Sequence, residues 1–191
     1  MSEFPATWRS SNEPLSPLKV AVSGAAGQIG YGLVFRIAAG GLFGSEQPVS
    51  LSLLEAPEAI RDLEGITLEL KDCAYPLLHE LRLSAEPEQA FSDVDWIILL
   101  AGKSLNYDGT SRHDLLHING PLYEAHGRAI NIAAPRSRVL VVAEPCNTMC
   151  LVAMSQAPNV PAERWFALNR LDRMRATAMI AEKAGVPVQE V

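Results

Sequence analysis

Cysteine is scarce in this chain. Three in 191 residues cannot build the disulfide framework of a small secreted scaffold. Cys73 stands alone, and Cys146 and Cys150 lie four apart with no second Cys or His pair nearby, so the four ligands of a closed zinc site are not assembled. The expectation is buried, reduced thiols. Positive charge is also short, with 16 Lys and Arg against 22 Asp and Glu, a net charge of −6 and a pI near 5.2. That balance lacks the basic footprint nucleic acid requires. A run of about 18 apolar residues is missing too, which excludes a membrane partner of the single-helix kind, although mean hydropathy is +0.09. Residues 1–17 carry Ser, Pro, Glu, Asn and Arg but no apolar signal-peptide core. They read as a mobile arm, and the protein as cytoplasmic. What is present is a globular mixture, 48% hydrophobic and 20% charged, of a length suited to one domain, placed over residues 18–191.

The apolar pattern alternates short strands with amphipathic helices. LKVAVS (18–23), VSLSLLE (49–55), 80–85, DWIILLA (95–101), RVLVVA (138–143) and 164–168 read as strands. A helix follows the glycine-rich stretch 24–30, with Ile29, Leu33, Val34 and Ile37 on one face. Others start at Pro57, near Arg112 and at 147, and a last one spans 171–184, closed by Gly185 at its C-terminal cap. Pro121 predicts a bend or a fresh start in the helix from Arg112, since an interior proline costs about 3 kcal/mol. Strands separated by helices imply parallel pairing with right-handed crossovers. The expected fold is α/β, a doubly wound, mostly parallel six-stranded Rossmann sheet in order 3-2-1-4-5-6. In such a sheet the carboxyl ends of the strands frame one crevice. That puts Gly24–Gly30, Glu55, Gly102 and its polar loop, Val142 and Glu144 around it.

GAAGQIG (24–30) lies between a strand and a helix. Glycines there permit a tight turn and let backbone N–H groups approach a pyrophosphate, while the helix N-terminus adds partial positive charge. The alternative is a turn used only for close strand–helix packing. Glu55 ends the next strand, where a carboxylate accepts both hydroxyls of an adenine ribose and repels the extra phosphate of NADP. NAD is therefore the expected cofactor. The candidate cofactor-binding set is Gly24, Ala26, Gly27, Gln28, Ile29, Gly30, Glu55, Gly102 and Val142.

The segments VSGAAGQIGYGLVFRIAAGGLFG, LEGITLELKDCAYPLL, SRHDLLHIN, EPCNTMCLVA and LNRLDRMRATAMIAEKAGV resemble the N-terminal, NAD-binding part of the lactate/malate dehydrogenase family. Within that family they are most similar to the cytosolic-type malate dehydrogenases. The resemblance implies reversible hydride transfer between NAD and a small 2-hydroxy or 2-oxo acid. It makes Asp172 the aspartate that orients a catalytic histidine, and Arg175 and Arg112 the arginines that grip substrate carboxylates, a task suited to the guanidinium fork. It makes Asn119 a cofactor contact and places His126 where a cofactor-contacting glutamine often stands. It also implies a homodimer through the helix of LEGITLELKDCAYPLL. Without the family, Asp172 and Arg175 read as a surface ion pair.

Departures from the family pattern fall in the substrate pocket. Asn106 stands where the family has a further clamp arginine, and Glu144 where it has a substrate-binding asparagine. Each disfavours a dicarboxylate, at about 2–4 kcal/mol of transition-state binding. The catalytic histidine of the family lies beyond the segment matched by Val191, in a substrate domain not contained in these residues. His79, His113, His117 and His126 fit no such motif and read as surface or satisfied structural histidines. Two functions are consistent with this: an NAD-dependent dehydrogenase with an altered substrate pocket, or an NAD-binding or interaction module without turnover. No tyrosine has a lysine four residues on, which sets aside short-chain dehydrogenase chemistry.

Overall fold

The computed structural model of the chain describes residues 15–104 and 111–191 and, at Arg112, the backbone alone. Six strands are present: β1 (Leu18–Ser23), β2 (Val49–Leu54), β3 (Leu78–Ser84), β4 (Trp96–Leu99), β5 (Arg138–Val141) and β6 (Trp165–Ala167). They form one sheet in the order β3-β2-β1-β4-β5-β6, and every neighbouring pair is parallel. The order expected from the sequence is the order observed.

The strands are apolar on both faces because helices cover both faces. Side-chain alternation divides each central strand between two cores. Val20 and Val22 of β1, Leu51 and Leu53 of β2 and Ile98 of β4 pack with α1 (Gln28–Ala38) and α2 (Ile60–Asp72). Ala21, Ile97, Leu99, Val139 and Val141 point the other way, toward α3 (Pro87–Ala90), α4 (Arg112–Ala133) and α5 (Cys146–Ser155). The short α3 escaped the sequence reading because one turn shows no periodicity. On α1 the buried face is Gly30, Val34, Ile37 and Ala38, whereas Ile29 is 65% exposed. Gly30, lacking a side chain, turns toward the sheet and rotates the expected face away from Ile29.

Pro121 does not restart the helix: α4 is assigned as helix without interruption from Arg112 to Ala133. The proline removes one N–H, but Leu115, Tyr123 and Ile130 remain fully buried along the inner face. That burial, at roughly 1.5–3 kcal/mol per large side chain, outweighs the lost bond. Its start is fixed by a capping box in which the Asp114 amide donates to Ser111 Oγ at 3.2 Å and the Ser111 amide to Asp114 Oδ2 at 2.9 Å. The last helix, α6 (Arg170–Ala184), ends at Gly185 with φ +69°, as expected, and buries only Ala181. Cys73 is exposed, contrary to the expectation of buried thiols, because it follows the last turn of α2. Cys150 is buried, which pushes its thiol up to about 11. No helix among the described residues is long and apolar enough to cross a membrane.

His126 corrects two readings. It is neither a surface residue nor a satisfied one: it is 2% exposed, set edge-on to the rings of Phe91 and Tyr123, and its Nδ1 has no hydrogen-bond partner. Burial pushes its imidazole down to about 4, against roughly 6.5 for an unfolded chain. Between about pH 6.5 and 4 the unfolded state takes up a proton that the native state refuses, so stability declines through that window by about 2–3 kcal/mol. Below about pH 4 the native ring is protonated as well and this contribution levels off. Urea titrations at pH 7 and pH 4.5 are expected to show His126→Gln losing less stability on acidification than the parent chain. Equal losses would assign the acid sensitivity to other groups.

Candidate functional site

β1 and β4 are neighbours at the point where the strand order reverses, and their carboxyl ends open the crevice in which parallel sheets bind ligands. The chain leaves β1 through a turn that two glycines make possible. Gly24 has φ +72°, and a Cβ there would lie 2.7 Å from the Ala101 amide nitrogen. Gly30, in the first turn of α1, is tighter still: a Cβ would lie 2.2 Å from the Gly24 carbonyl oxygen. The Gly27 amide closes the turn onto that same oxygen at 3.1 Å. α1 can therefore begin directly on the turn, with its amide end at the crevice. Its first turn has no side-chain cap and no acidic residue, the condition in which a helix N-terminus receives an anion.

Glu55 lies one residue beyond β2, beside this turn. Its Oε1 accepts the Ala26 amide at 2.9 Å and its Oε2 the Ala56 amide at 3.2 Å. The carboxylate is thus fixed at the edge of the glycine turn, half-buried, with both oxygens holding backbone donors.

Next to the turn is a cleft of about 530 Å³. It brings together Ile29, Gly102, Asn119, Val142, Glu144, Asp172 and Arg175 of the residues singled out in the sequence. Gly24, Ala26, Gly27, Gln28, Gly30 and Glu55 belong to the adjoining turn rather than to the cleft wall. Asn106 lies outside the described residues, and Arg112 is placed only as the first residue of α4. His126, expected near the cofactor, is instead in the core between α4 and the Phe91 ring. It is thereby corrected as a cofactor contact, because its ring points into the packed side of the helix.

Asn119 organises two walls of the cleft. It is 2% exposed. Its Oδ1 accepts the Lys103 amide at 2.8 Å, and its Nδ2 donates to the carbonyls of Lys103 at 2.8 Å and Glu144 at 3.1 Å. One side chain on α4 thus ties the loop after β4 to the loop after β5. Gly102 has φ +134°, which strains any L side chain, and a Cβ there would press on Asn119 Oδ1 at 3.0 Å. Tyr123, one turn on, donates its hydroxyl to the Ala101 carbonyl at 2.9 Å.

Opposite, α6 presents Asp172 and Arg175 to the cleft as an exposed ion pair of 3.7 Å, geometry worth about 1 kcal/mol or less. The lining also includes Lys103, Asn147, Thr148 and Asn169, with Asn169 Nδ2 donating a hydrogen bond to Asn147 Oδ1. The sequence reading held Lys103 only as part of the polar loop after Gly102 and did not single out the other three. They all follow the carboxyl ends of β4, β5 and β6, so the same strand-end rule applied to every polar residue there would have found them. The described charged groups that line the cleft are Lys103, Arg175, Glu144 and Asp172, two of each sign. None of the four histidines lines it.

A family model described as the lactate/malate dehydrogenase NAD binding domain matches residues 18–167. A malate dehydrogenase of Protochlamydia amoebophila (strain UWE25) is 43% identical over 176 residues, which are 92% of this chain and 53% of that protein. Among solved structures, a malate dehydrogenase of Naegleria fowleri superposes with TM-score 0.85 at 42% identity, covering 93% of this chain and 54% of its own. A Trichomonas vaginalis lactate dehydrogenase in complex with NADH and oxamate gives TM-score 0.84 at 39% identity, with 90% and 52% covered. This chain spans about half the length of the relatives it matches.

The glycine contacts give a paired prediction. Gly30→Ala forces its methyl onto the Gly24 carbonyl and is expected to cost about 1–3 kcal/mol of stability. Gly32→Ala, two residues on, meets nothing within 4 Å and should stabilise α1 by up to about 1 kcal/mol. Denaturation midpoints that shift equally for the two would contradict the close approach at Gly30.

Proposed function

The chain belongs to the lactate/malate dehydrogenase family, and we infer that it forms the coenzyme-binding half of an oxidoreductase that moves a hydride between NAD and a small 2-hydroxy acid. NAD is the cofactor of this domain. The residues present fit it. The cradle at Gly24 and Gly30, which a Cβ would fill, leaves backbone amides free to meet a pyrophosphate. The Ala26 amide holds the Glu55 carboxylate beside this turn at 2.9 Å, at the end of the second strand, the position from which an acid reaches a ribose diol in folds of this kind. That joint placement is the observation on which the reading rests. When bound, NAD supplies the hydride acceptor or donor; the chain's own groups bind and orient.

In this reading Gln28 and Ile29 offer amides to the diphosphate, and Gly27, its own amide closed onto the Gly24 carbonyl, shapes the turn that presents them. Glu55 exchanges its contacts with Ala26 and Ala56 for the two ribose hydroxyls, and its charge disfavours a 2′-phosphate. Gly102 and Val142 form the backbone walls, and Asn119 keeps them in register. Arg175 and Arg112 grip substrate carboxylate. Asp172, one turn before Arg175, is the positioning residue for an imidazole. Glu144 faces the same space and, as an anion, repels a second carboxylate. The pocket thus favours a 2-hydroxy acid whose far end is neutral or cationic over malate.

No histidine of these 191 residues is at the cleft, so the proton exchanged with the substrate oxygen has no imidazole partner among them. That observation favours a second reading for this segment taken alone: coenzyme binding without turnover. A homodimer through α2 is the assembly we propose, and Leu68, exposed on that helix, is where it would be tested.

Calorimetry on the chain is expected to show one NAD site with NAD bound more tightly than NADP. Glu55→Gln should weaken NAD by about 10- to 100-fold, the range of a lost charge-assisted hydrogen bond. A preference for NADP would overturn the role given to Glu55. In the NAD-loaded chain, the double variant Asn106→Arg/Glu144→Asn is expected to gain affinity for oxaloacetate of at least tenfold; an unchanged titration counts against the proposed substrate pocket.

A further inference from the structure

His113 and His117 are four residues apart on α4, one helical turn, on the side of the helix away from Leu115 and Asn119. Both side chains are exposed. Their rings meet edge to face, with centroids 4.7 Å apart and planes at 82°, and their Nε2 atoms are 3.2 Å from each other. Two exposed imidazole nitrogens this close together can serve as a bidentate donor set. A first-row divalent ion holds imidazole nitrogen at about 2.0–2.1 Å. Two such bonds spanning 3.2 Å subtend about 100° at the ion, between the octahedral and tetrahedral angles, from the bond lengths in. The rings therefore need little movement to bind.

We propose that His113 and His117 form a solvent-facing site for a borderline divalent cation of the nickel, copper or zinc class. Both rings would take the Nδ1–H tautomer, so that each Nε2 lone pair is given to the ion. The spacing is that of the two histidines in helical zinc motifs. The acid inside HDLLH, however, is spoken for. Asp114 caps the helix through the Ser111 amide and hydroxyl, so the site is a binding site and not a hydrolytic centre. Its carboxylate still lies one residue from His113 and offsets the positive end of the helix, which opposes a cation. Among the described residues no group of three or more His, Cys, Asp or Glu is placed to hold a metal, so these two histidines are the only ligands the described residues supply. An ion bridging residues 113 and 117 clips the first turns of α4, the helix that opens with Arg112 and carries Asn119. The inference is independent of the coenzyme reading.

Nickel chloride titrated into the full, untagged chain by calorimetry is the test. The expected result is saturable 1:1 uptake, weakened at least tenfold by His113→Ala and equally by His117→Ala. Cys73→Ser, which removes the exposed thiol, is expected to leave uptake unchanged. Amide exchange at residues 113–118 should slow on adding nickel to the parent chain and not to either variant. Circular dichroism verifies that the variants, changed only at exposed positions, stay folded. No saturable uptake, uptake that survives either single histidine variant, or uptake lost with Cys73 would each overturn the proposal.

Discussion

The contact between Gly30 and the Gly24 carbonyl governs the rest of the site. A helix can deliver its amide end to a crevice only if its first turn rests on the turn that precedes it, and any side chain at position 30 would hold the two apart. With that contact made, Gly27 closes onto the same oxygen, and β2 ends where Glu55 can reach the Ala26 amide. The charge and hydrogen-bonding character of the crevice thus follow from one missing methyl group. An uncapped helix end and a carboxylate lie side by side because two backbone segments touch.

A second constraint sets the opposite wall. Past Leu100 and Val142, whose amides still bond the neighbouring strands, the segments that follow β4 and β5 both line the cleft. Asn119 binds them together from beneath through Lys103 and Glu144. Buried amide groups are costly to leave unpaired, so a side chain with all three bonds satisfied makes the relative position of the loops cheap to keep. Gly102 and Tyr123 serve the same arrangement, one by making room and the other by holding Ala101.

The cleft's electrostatics are more even than those expected for a site that takes two carboxylates. Lys103 and Arg175 are matched by Glu144 and Asp172. An arginine fork grips one carboxylate well, but a glutamate facing the same volume penalises a second. In the proposed reading, this balance of charge rather than the scaffold selects the acid. Malate and lactate dehydrogenases resemble this chain to nearly the same degree, as expected if the shared scaffold holds the coenzyme and a few side chains choose the acid.

Strand order, parallel pairing, the glycine turn and Glu55 were legible in the residues, because a period of two or 3.6 and a Gly-rich stretch between strand and helix are local patterns. The C-terminal cap at Gly185 was legible for the same reason. Other features depend on what a residue meets from elsewhere in the chain. Pro121 reads as a helix breaker, yet burial of Leu115, Tyr123 and Ile130 carries α4 through it. His126 reads as a cofactor neighbour, yet it faces Phe91 from α3's side of the sheet. Lys103, Asn147 and Asn169 look like ordinary polar residues until three strand ends converge. Local patterning therefore dictated which elements form and in what order they lie. Packing between distant segments settled which side chains share the cleft, since burial and convergence are properties of the folded surface and no short stretch of chain contains them.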